Sequence, residues 1–274
     1  MEIGGQALIE GVMIKSKEKI AISVRKKDKI KTISQPTSKL SKKFSKIPFL
    51  RGIVVLIDTI YIGTKALMYS AKEQDEEEEI SNKQIAITTI ISFIMAIGLF
   101  VFLPLIISKL LTENRFLFNL FDGIIRIMIF ILYIIVISFS KEVRRIFQYH
   151  GAEHMSIHCF EKKEPLTVKN VRNYPTIHPR CGTSFIAIVL IISIIVFSVV
   201  WHSNFIIKFL QRIILIPIIA SLSYELLKFS SKHQNNLIIK TISSPGLLIQ
   251  KITTQIPDDD QIEVAIEAVK EATS

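Results

Sequence analysis

Four of the six histidines of this 274-residue chain lie between positions 150 and 178, in a polar stretch flanked by hydrophobic segments. The stretch contains His150-Gly-Ala-Glu153-His154 and His178-Pro-Arg-Cys181. Imidazole and thiolate groups are ligands for zinc and iron, and a carboxylate beside them can act as a general base. These residue types therefore predict a metal site, or acid/base chemistry, in this stretch.

The spacing within the stretch favours the metal site. On a helix, His150 and His154 are i and i+4 neighbours, so both rings can reach one ion, and His158 continues the row by one turn. H-x-x-E-H is also the spacing of the inverted zinc-protease motif, in which the Glu is the general base. The alternative is a solvent-facing histidine pair near lipid headgroups.

The second sequence adds an imidazole and a thiolate. We therefore predict that a divalent transition metal, with zinc favoured, is bound by four residues: His150, His154, His178 and Cys181. Glu153 is predicted to be the general base or to support a ligand. Gly151, inside the predicted helix, costs roughly 1 kcal/mol relative to alanine, which indicates a close approach by another part of the chain.

Three further polar residues are candidates for the same site. Arg180 could hold an anionic group such as a phosphate. Glu10 lies between glycines that allow close backbone approach. Glu225 follows an apolar stretch, where a buried acid usually marks function, although it could instead snorkel to the surface or pair with Lys228. We predict that Glu10 or Glu225 completes the site.

The elements that position these residues are those of an integral membrane protein. The chain is 49% hydrophobic with a mean hydropathy of +0.42, which is too apolar for a soluble domain of this length. Four hydrophobic segments of the chain are long enough to cross a bilayer as helices. The four predicted spans are Ile85 to Ile107, Ile124 to Phe139, Phe185 to Trp201 and about Phe205 to Leu227.

Charge predicts the orientation of these spans. All but five of the 34 Lys and Arg residues fall in the N-terminal region, the central loop or the C-terminal tail. The positive-inside rule therefore places the chain in the cell membrane with both termini and the histidine loop in the cytoplasm, where the cysteines stay reduced. The net charge of +10 is explained by cytoplasmic loops whose basic residues attract anionic lipid headgroups. No nucleic-acid partner is expected, because basic and aromatic residues do not alternate.

The predicted fold is mainly α, a four-span helical membrane protein with a small N-terminal β-hairpin cap and cytosolic amphipathic helices. The hairpin pairs Lys19–Arg25 with Lys29–Ser34, and an amphipathic helix follows over Phe49–Ala71. The predicted regions are a cytosolic cap (1–47), an amphipathic helix with an acidic linker (48–84), spans 1 and 2 (85–139), the cytosolic His/Cys loop (140–182), spans 3 and 4 (183–229) and a cytosolic tail (230–274).

Six ordered motifs, covering nearly the whole chain, resemble the bacterial YqhQ family. That family is a group of multi-pass membrane proteins labelled "predicted metal-dependent enzyme". The resemblance implies a site built from Glu10, His150, Glu153, His154, His178, Arg180 and Cys181, and it supplies no substrate. The chain departs from the family pattern at Ile14-Lys-Ser-Lys17. The motifs are Gly4–Met13, Arg51-Gly52, Tyr149–His154, His178–Phe185, Ser223-Tyr-Glu225, and Thr253-Thr254 with Pro257–Ile266.

Together these features predict a metal site at the cytosolic membrane face, with a metal-dependent hydrolase acting on a membrane-associated substrate as one reading. The competing reading is a non-catalytic membrane scaffold or biogenesis factor that binds a protein partner, with a structural metal or none. A transporter is disfavoured because the predicted spans carry no unpaired charge at mid-membrane.

Overall fold

A computed structural model describes residues 3–37, 44, 47–74, 82–232 and 236–274. Helices predominate, and they follow an N-terminal sheet. The acidic run Asp75–Glu79 and most residues between positions 37 and 47 lie outside the described residues. The helices are α1 (Leu50–Gln74), α2 (Asn82–Ile97), α3 (Leu103–Leu111), α4 (Arg115–Ile137), α5 (Lys141–Glu161), α6 (Val168–Val171), α7 (Gly182–Val199), α8 (Phe205–Lys232), α9 (Leu237–Thr253) and α10 (Asp259–Thr273).

The N-terminal sheet has four antiparallel strands, each paired with the next along the chain. The predicted hairpin is confirmed as the pair β3–β4, but a cap of one hairpin is wrong, because two more strands precede it. Glycine residues lower the β-strand propensity of β1 and β2, so the sequence pattern did not reveal these strands. Gly5 nevertheless suits its position, because a side chain there would overlap the Met13 carbonyl across the ladder. The strands are β1 (Gly4–Leu8), β2 (Gly11–Lys15), β3 (Lys19–Lys26) and β4 (Lys29–Pro36).

Both faces of this sheet are covered, and one face joins distant parts of the chain. Val12 and Ile14 of β2 lie in a hydrophobic core with Tyr149 of α5 and Ile262 of α10. The opposite face packs against Ile62 of α1. A capping box of Asp258 and Gln261 begins α10. The sheet, α5 and α10 therefore form one folded unit, which we call the core domain.

Five helices are long and apolar enough to cross a membrane, one more than predicted. α2 and α3 form one of them, because the π-helical stretch Gly98–Phe102 joins them. The additional candidate is α1. The five candidates are Leu50–Gln74, Ala86–Leu111, Arg115–Ile137, Gly182–Val199 and Phe205–Ser230.

α1 turns large apolar residues outward, because Ile57 and Tyr61 are 60% and 67% exposed. The buried side carries small and polar residues instead: Gly52, Asp58, Ile62, Gly63, Ala66 and Ser70. Small residues let helices approach closely, and a large apolar face turned outward suits a lipid environment. The first turns pack on α8, where Gly52 lies against Ser221. From Asp58 onward the helix covers the sheet.

The helix with the histidines is separate from the preceding apolar helix. α4 ends at Ile137 and α5 begins at Lys141, although the residues between them include no glycine or proline. The Ser140 hydroxyl caps α5 by accepting a hydrogen bond from the Val143 amide, at 3.4 Å. This break lets α5 leave the direction of α4 and pack within the core domain.

Candidate metal centre

Three of the four predicted ligands lie together between α5 and the start of α7. The ligand atoms of His150, His154 and Cys181 all lie within 4.8 Å of one another, and we call this trio the metal-site group. His150 Nε2 lies 3.1 Å from Cys181 Sγ, and the His150 and His154 rings are 4.4 Å apart. α5 supplies the two histidines one turn apart, while Cys181 is the N-cap of α7. The helix α5 and the N-terminus of α7 therefore supply all three donors.

Backbone carbonyls fix the tautomers of both histidines in this group. His150 Nδ1 donates to the Thr253 carbonyl at 2.8 Å, and His154 Nδ1 donates to the Thr176 carbonyl at 2.6 Å. A carbonyl oxygen can only accept, so each neutral ring keeps its lone pair on Nε2. This arrangement is typical of metal-binding histidines, whose second nitrogen is held by a carbonyl or a carboxylate.

One atom of the metal-site group is a buried acceptor that requires a partner. His154 Nε2 is buried and has no hydrogen-bond partner among the described residues. A buried lone pair without a partner is costly, and such atoms are few in folded proteins. A metal ion bound by Nε2, with the adjacent His150 and Cys181 donors, would satisfy it. The donor set of two imidazoles and a thiolate fits zinc.

The fourth predicted ligand, His178, lies in a second group, with His158 and Glu161. His178 Nδ1 accepts a hydrogen bond from the Arg180 amide at 3.2 Å, so the neutral ring carries its proton on Nε2. That nitrogen lies 3.5 Å from a Glu161 carboxylate oxygen. The proton on Nε2 suits a hydrogen bond to Glu161 better than a metal bond. His178 and Glu161 therefore form a polar pair beside the metal-site group.

Burial sets the protonation of these groups. Burial lowers the pKa of His154 well below its usual value and lowers the pKa of His178 to about 4, so both rings are neutral at pH 7. Neutral imidazole is the form that binds metals. Burial raises the pKa of the Cys181 thiol, which must lose its proton to become a ligand.

Glu153 lies in the interior between α5 and the sheet. Burial raises the pKa of its carboxyl group to about 8, and the neighbouring His150 opposes that shift. A Cβ added to Gly5 of β1 would lie 2.9 Å from the Glu153 carboxylate, so the glycine leaves room for it. A pKa near 8 is well placed for proton transfer at neutral pH. A cation bound nearby would favour the ionised form.

The three other predicted site residues are held in ion pairs. Glu10, at the turn between β1 and β2, accepts hydrogen bonds from Arg145 and, at 3.2 Å, from the Tyr149 hydroxyl. Glu225 pairs with Arg51 and thereby ties α8 to the start of α1. Among the described residues, neither Glu10 nor Glu225 belongs to a group that could hold a metal.

Arg180 forms its ion pair with Glu161, at the edge of a large cavity. This cavity, about 1010 Å³, lies beyond the second group. Its charged lining residues are four cations and two acids: Lys162, Lys163, Arg180, Lys270, Glu161 and Glu164. The excess of cations favours an anionic ligand.

Sequence reasoning missed several residues that shape the site. Glu161 lies three residues after His158, which is a neighbouring position on a helix, so the spacing alone could have indicated the pair. The carbonyls of Thr176 and Thr253 carry no signal in the sequence, because backbone acceptors are common to every residue.

Gly151 has the close contact that its cost in a helix predicted. A Cβ at this position would overlap the Gln255 carbonyl oxygen, which is backbone and cannot swing away. The segment pressed against Gly151 is the one whose Thr253 carbonyl orients His150. Gly151 therefore couples the packing of the C-terminal segment to the metal-site group.

Replacing Gly151 with alanine should destabilise the protein by about 1–3 kcal/mol, the usual cost of overpacking, and should weaken metal binding. The matched control is Gly182→Ala, because a Cβ at Gly182 meets no atom within 4 Å. Thermal unfolding and metal titration of both variants measure the effect. Equal stability and equal affinity for the two variants would contradict this role of Gly151.

The chain is similar to one family of sequences and to one individual relative. Residues 47–274 match the family described as "Protein of unknown function (DUF1385)". The chain is also 33% identical to "Uncharacterized protein YqhQ" of Bacillus subtilis (strain 168), over 98% of this chain and 91% of that relative. The match to this relative includes the N-terminal sheet, which precedes the family match. No solved structure matches this chain.

Proposed function

This chain belongs to the DUF1385 family, the YqhQ-like proteins of unknown function. We propose, from its own residues, that it is a membrane-embedded metalloprotein. His150, His154 and Cys181 hold one divalent transition metal, with zinc favoured. The observation that carries the proposal is the buried His154 Nε2, which has no hydrogen-bond partner among the described residues and lies beside two further donors.

The reaction class proposed for this centre is hydrolysis. A metal with three protein ligands and one open position supplies a nucleophilic water near neutral pH. Glu153 is the proposed general base, because its buried carboxyl group has a pKa of about 8. Lys162, Lys163 and Lys270 of the neighbouring cavity would hold an anionic group of a membrane-associated substrate. Arg180 orients this end of the site through its ion pair with Glu161.

The core domain limits how many helices cross the membrane. The sheet, α5 and α10 share one hydrophobic core, so all three lie on one side of any bilayer. The number of crossings between the sheet and α5 is therefore even, and so is the number between α5 and α10. Of the five candidates, α7 and α8 form the second pair. Among α1, the joined α2–α3 helix and α4, two cross and one does not.

The contacts of α1 support the proposal that it is the candidate that does not cross. Lys15 of the sheet forms an ion pair with Asp58 at 2.7 Å, and Ser70 accepts a hydrogen bond from the Ile9 amide at 3.3 Å. These contacts extend over most of α1 and keep it beside the core domain. We propose that α1 lies along the membrane surface with Ile57 and Tyr61 toward lipid. The protein then has four spans, with the core domain and both termini in the cytoplasm, following the distribution of basic residues.

A non-catalytic scaffold with a structural metal is the second candidate function. The burial of His154 and Cys181, which are 1% and 7% exposed, favours it, because structural sites are closed. The metal would then hold α5, the start of α7 and the C-terminal segment together for a protein partner. The two functions differ in whether the fourth coordination position admits an external ligand.

Cobalt substitution distinguishes these functions, because the visible spectrum of Co²⁺ reports its ligands and geometry. We expect added azide to change the spectrum of the cobalt-loaded protein, and we expect His178→Ala to leave the azide-free spectrum unchanged. An azide-insensitive spectrum that changes in His178→Ala would show a closed site with four protein ligands. That result would overturn the hydrolase proposal and favour the scaffold.

A further inference from the structure

A group of charged side chains is buried among the apolar helices, at the end opposite to the histidines. Asp122 of α4 accepts hydrogen bonds from Arg126, at 2.7 Å, and from Arg212 of α8. Arg126 also donates to the Ser193 hydroxyl of α7, at 2.9 Å. Asp122, Arg126 and Arg212 are only 2–4% exposed. We call these three residues, together with Lys208, the buried charge cluster.

The cluster contains more positive than negative charge. Lys208 is 7% exposed and lies over aromatic rings, 3.6 Å from the Trp201 centroid and 3.9 Å from the Phe118 centroid. The cluster therefore has three cations and, among the described residues, a single carboxylate within hydrogen-bonding distance of them. Cation–π contacts offset only part of the cost of an unpaired buried charge.

In the proposed membrane arrangement, the cluster lies below the membrane surface that is opposite to the core domain. Asp122 follows the start of α4 by seven residues, and Arg212 follows the start of α8 by seven. A rise of 1.5 Å per residue puts both about 10 Å inside the helix ends. α4 and α8 both begin at this end, so their positive dipole ends point toward it.

A cavity lies at the same end of the helices, and none of the four residues of the buried charge cluster is among its lining residues. It has a volume of about 620 Å³, and its lining includes Arg115, Asn119 and Ser198. Asn119 is 8% exposed and lies one turn before Asp122 on α4. Arg126 Nε is buried and has no hydrogen-bond partner among the described residues. An anion that passes from this cavity to the buried charge cluster would meet the unpartnered Arg126 Nε and the excess positive charge.

We propose that the buried charge cluster binds a phosphate group, from a lipid headgroup or from free phosphate, at the membrane face opposite to the metal-site group. Guanidinium groups bind phosphate through paired hydrogen bonds, and an ammonium group adds charge without a fixed geometry. Arg126 and Lys208 provide these donors, while Asp122 holds Arg126 and Arg212 in place. The site shares no residue with the metal-site group, so either proposal can fail without the other.

The test uses the full-length protein in a nonionic detergent and compares two probes. One is inorganic phosphate against chloride at equal ionic strength, and the other is phosphatidylglycerol against diacylglycerol in mixed micelles. The expected result is a higher melting temperature of the unsubstituted protein with at least one phosphate-bearing probe. In Lys208→Gln, which leaves the Asp122 ion pairs intact, the apparent affinity should fall roughly tenfold, as for a lost charge-assisted hydrogen bond.

Lys109→Gln is the matched control, because Lys109 is an exposed cation at the same end of the helices, and it should bind like the unsubstituted protein. A response to phosphate alone identifies a free anion as the ligand, and a response to phosphatidylglycerol alone identifies a lipid headgroup. The proposal is overturned if neither probe raises the melting temperature. An equal response in Lys208→Gln and the unsubstituted protein would also overturn it.

Discussion

Replacing His154 with alanine should reduce the affinity for Zn²⁺ by roughly 10²- to 10³-fold, because a structural zinc site gains about 10–16 kcal/mol from three or four ligands, or about 3–4 kcal/mol for each. His154 is the ligand whose lone pair has no other use in the fold. Its Nδ1 is held by the Thr176 carbonyl, and its Nε2 is buried without a hydrogen-bond partner among the described residues.

Competition with a chromogenic chelator measures this loss on the purified protein under reducing conditions. His158→Ala is the matched control, because His158 lies one turn further along α5 and belongs to the second group. We expect His158→Ala to retain the affinity of the unsubstituted protein within about tenfold, the low end of the range for residues that only support a ligand. Equal losses of Zn²⁺ affinity in the two variants would show that the metal does not bind the metal-site group in preference to the second group.

Replacing Asp122 with asparagine should destabilise the protein by about 3–5 kcal/mol, the usual cost of removing one partner of a buried ion pair. Asparagine keeps the size of the side chain but removes the charge that Arg126 and Arg212 share. Two guanidinium groups would then remain buried without a carboxylate. The change should act on the helices α4, α7 and α8 rather than on the core domain.

Unfolding of the detergent-solubilised protein measures the effect, and Glu113→Gln serves as the control. Glu113 is an exposed acid at the same end of the helices, so its replacement should change the stability by less than about 0.5 kcal/mol. A stability of Asp122→Asn close to that of Glu113→Gln would mean that the ion pairs contribute nothing net. Metal affinity should be the same in both variants, because the metal-site group lies at the other end of α7.

Local spacing predicted the part of the site that lies on one helix. His150 and His154 meet because residues four apart on a helix are neighbours. Cys181 also reaches them, but His178, only three residues before it, turns instead toward His158 and Glu161. Spacing could not separate these outcomes, because the path of the loop before α7 depends on contacts with α5 and α9, including the hydrogen bond from the His178 amide to Gln250.

Other features were missed because the surroundings of each helix are not written in its sequence. The amphipathic pattern of α1 did not indicate which of its faces is buried. The structure buries Gly52, Gly63 and Ala66, because small residues permit close packing, and large residues face outward. Likewise, the second span was predicted to begin at Ile124, whereas α4 begins at Arg115 and therefore also includes Asp122, the partner of Arg126.

The central claim is that this protein carries one transition metal on His150, His154 and Cys181. The most direct test is elemental analysis of the full-length protein, purified in detergent under reducing conditions, beside its His154→Ala/Cys181→Ala variant. We predict close to one zinc, or another divalent transition metal, per chain, and none in the variant. A protein that is folded and contains no transition metal, even after incubation with Zn²⁺, would contradict the claim.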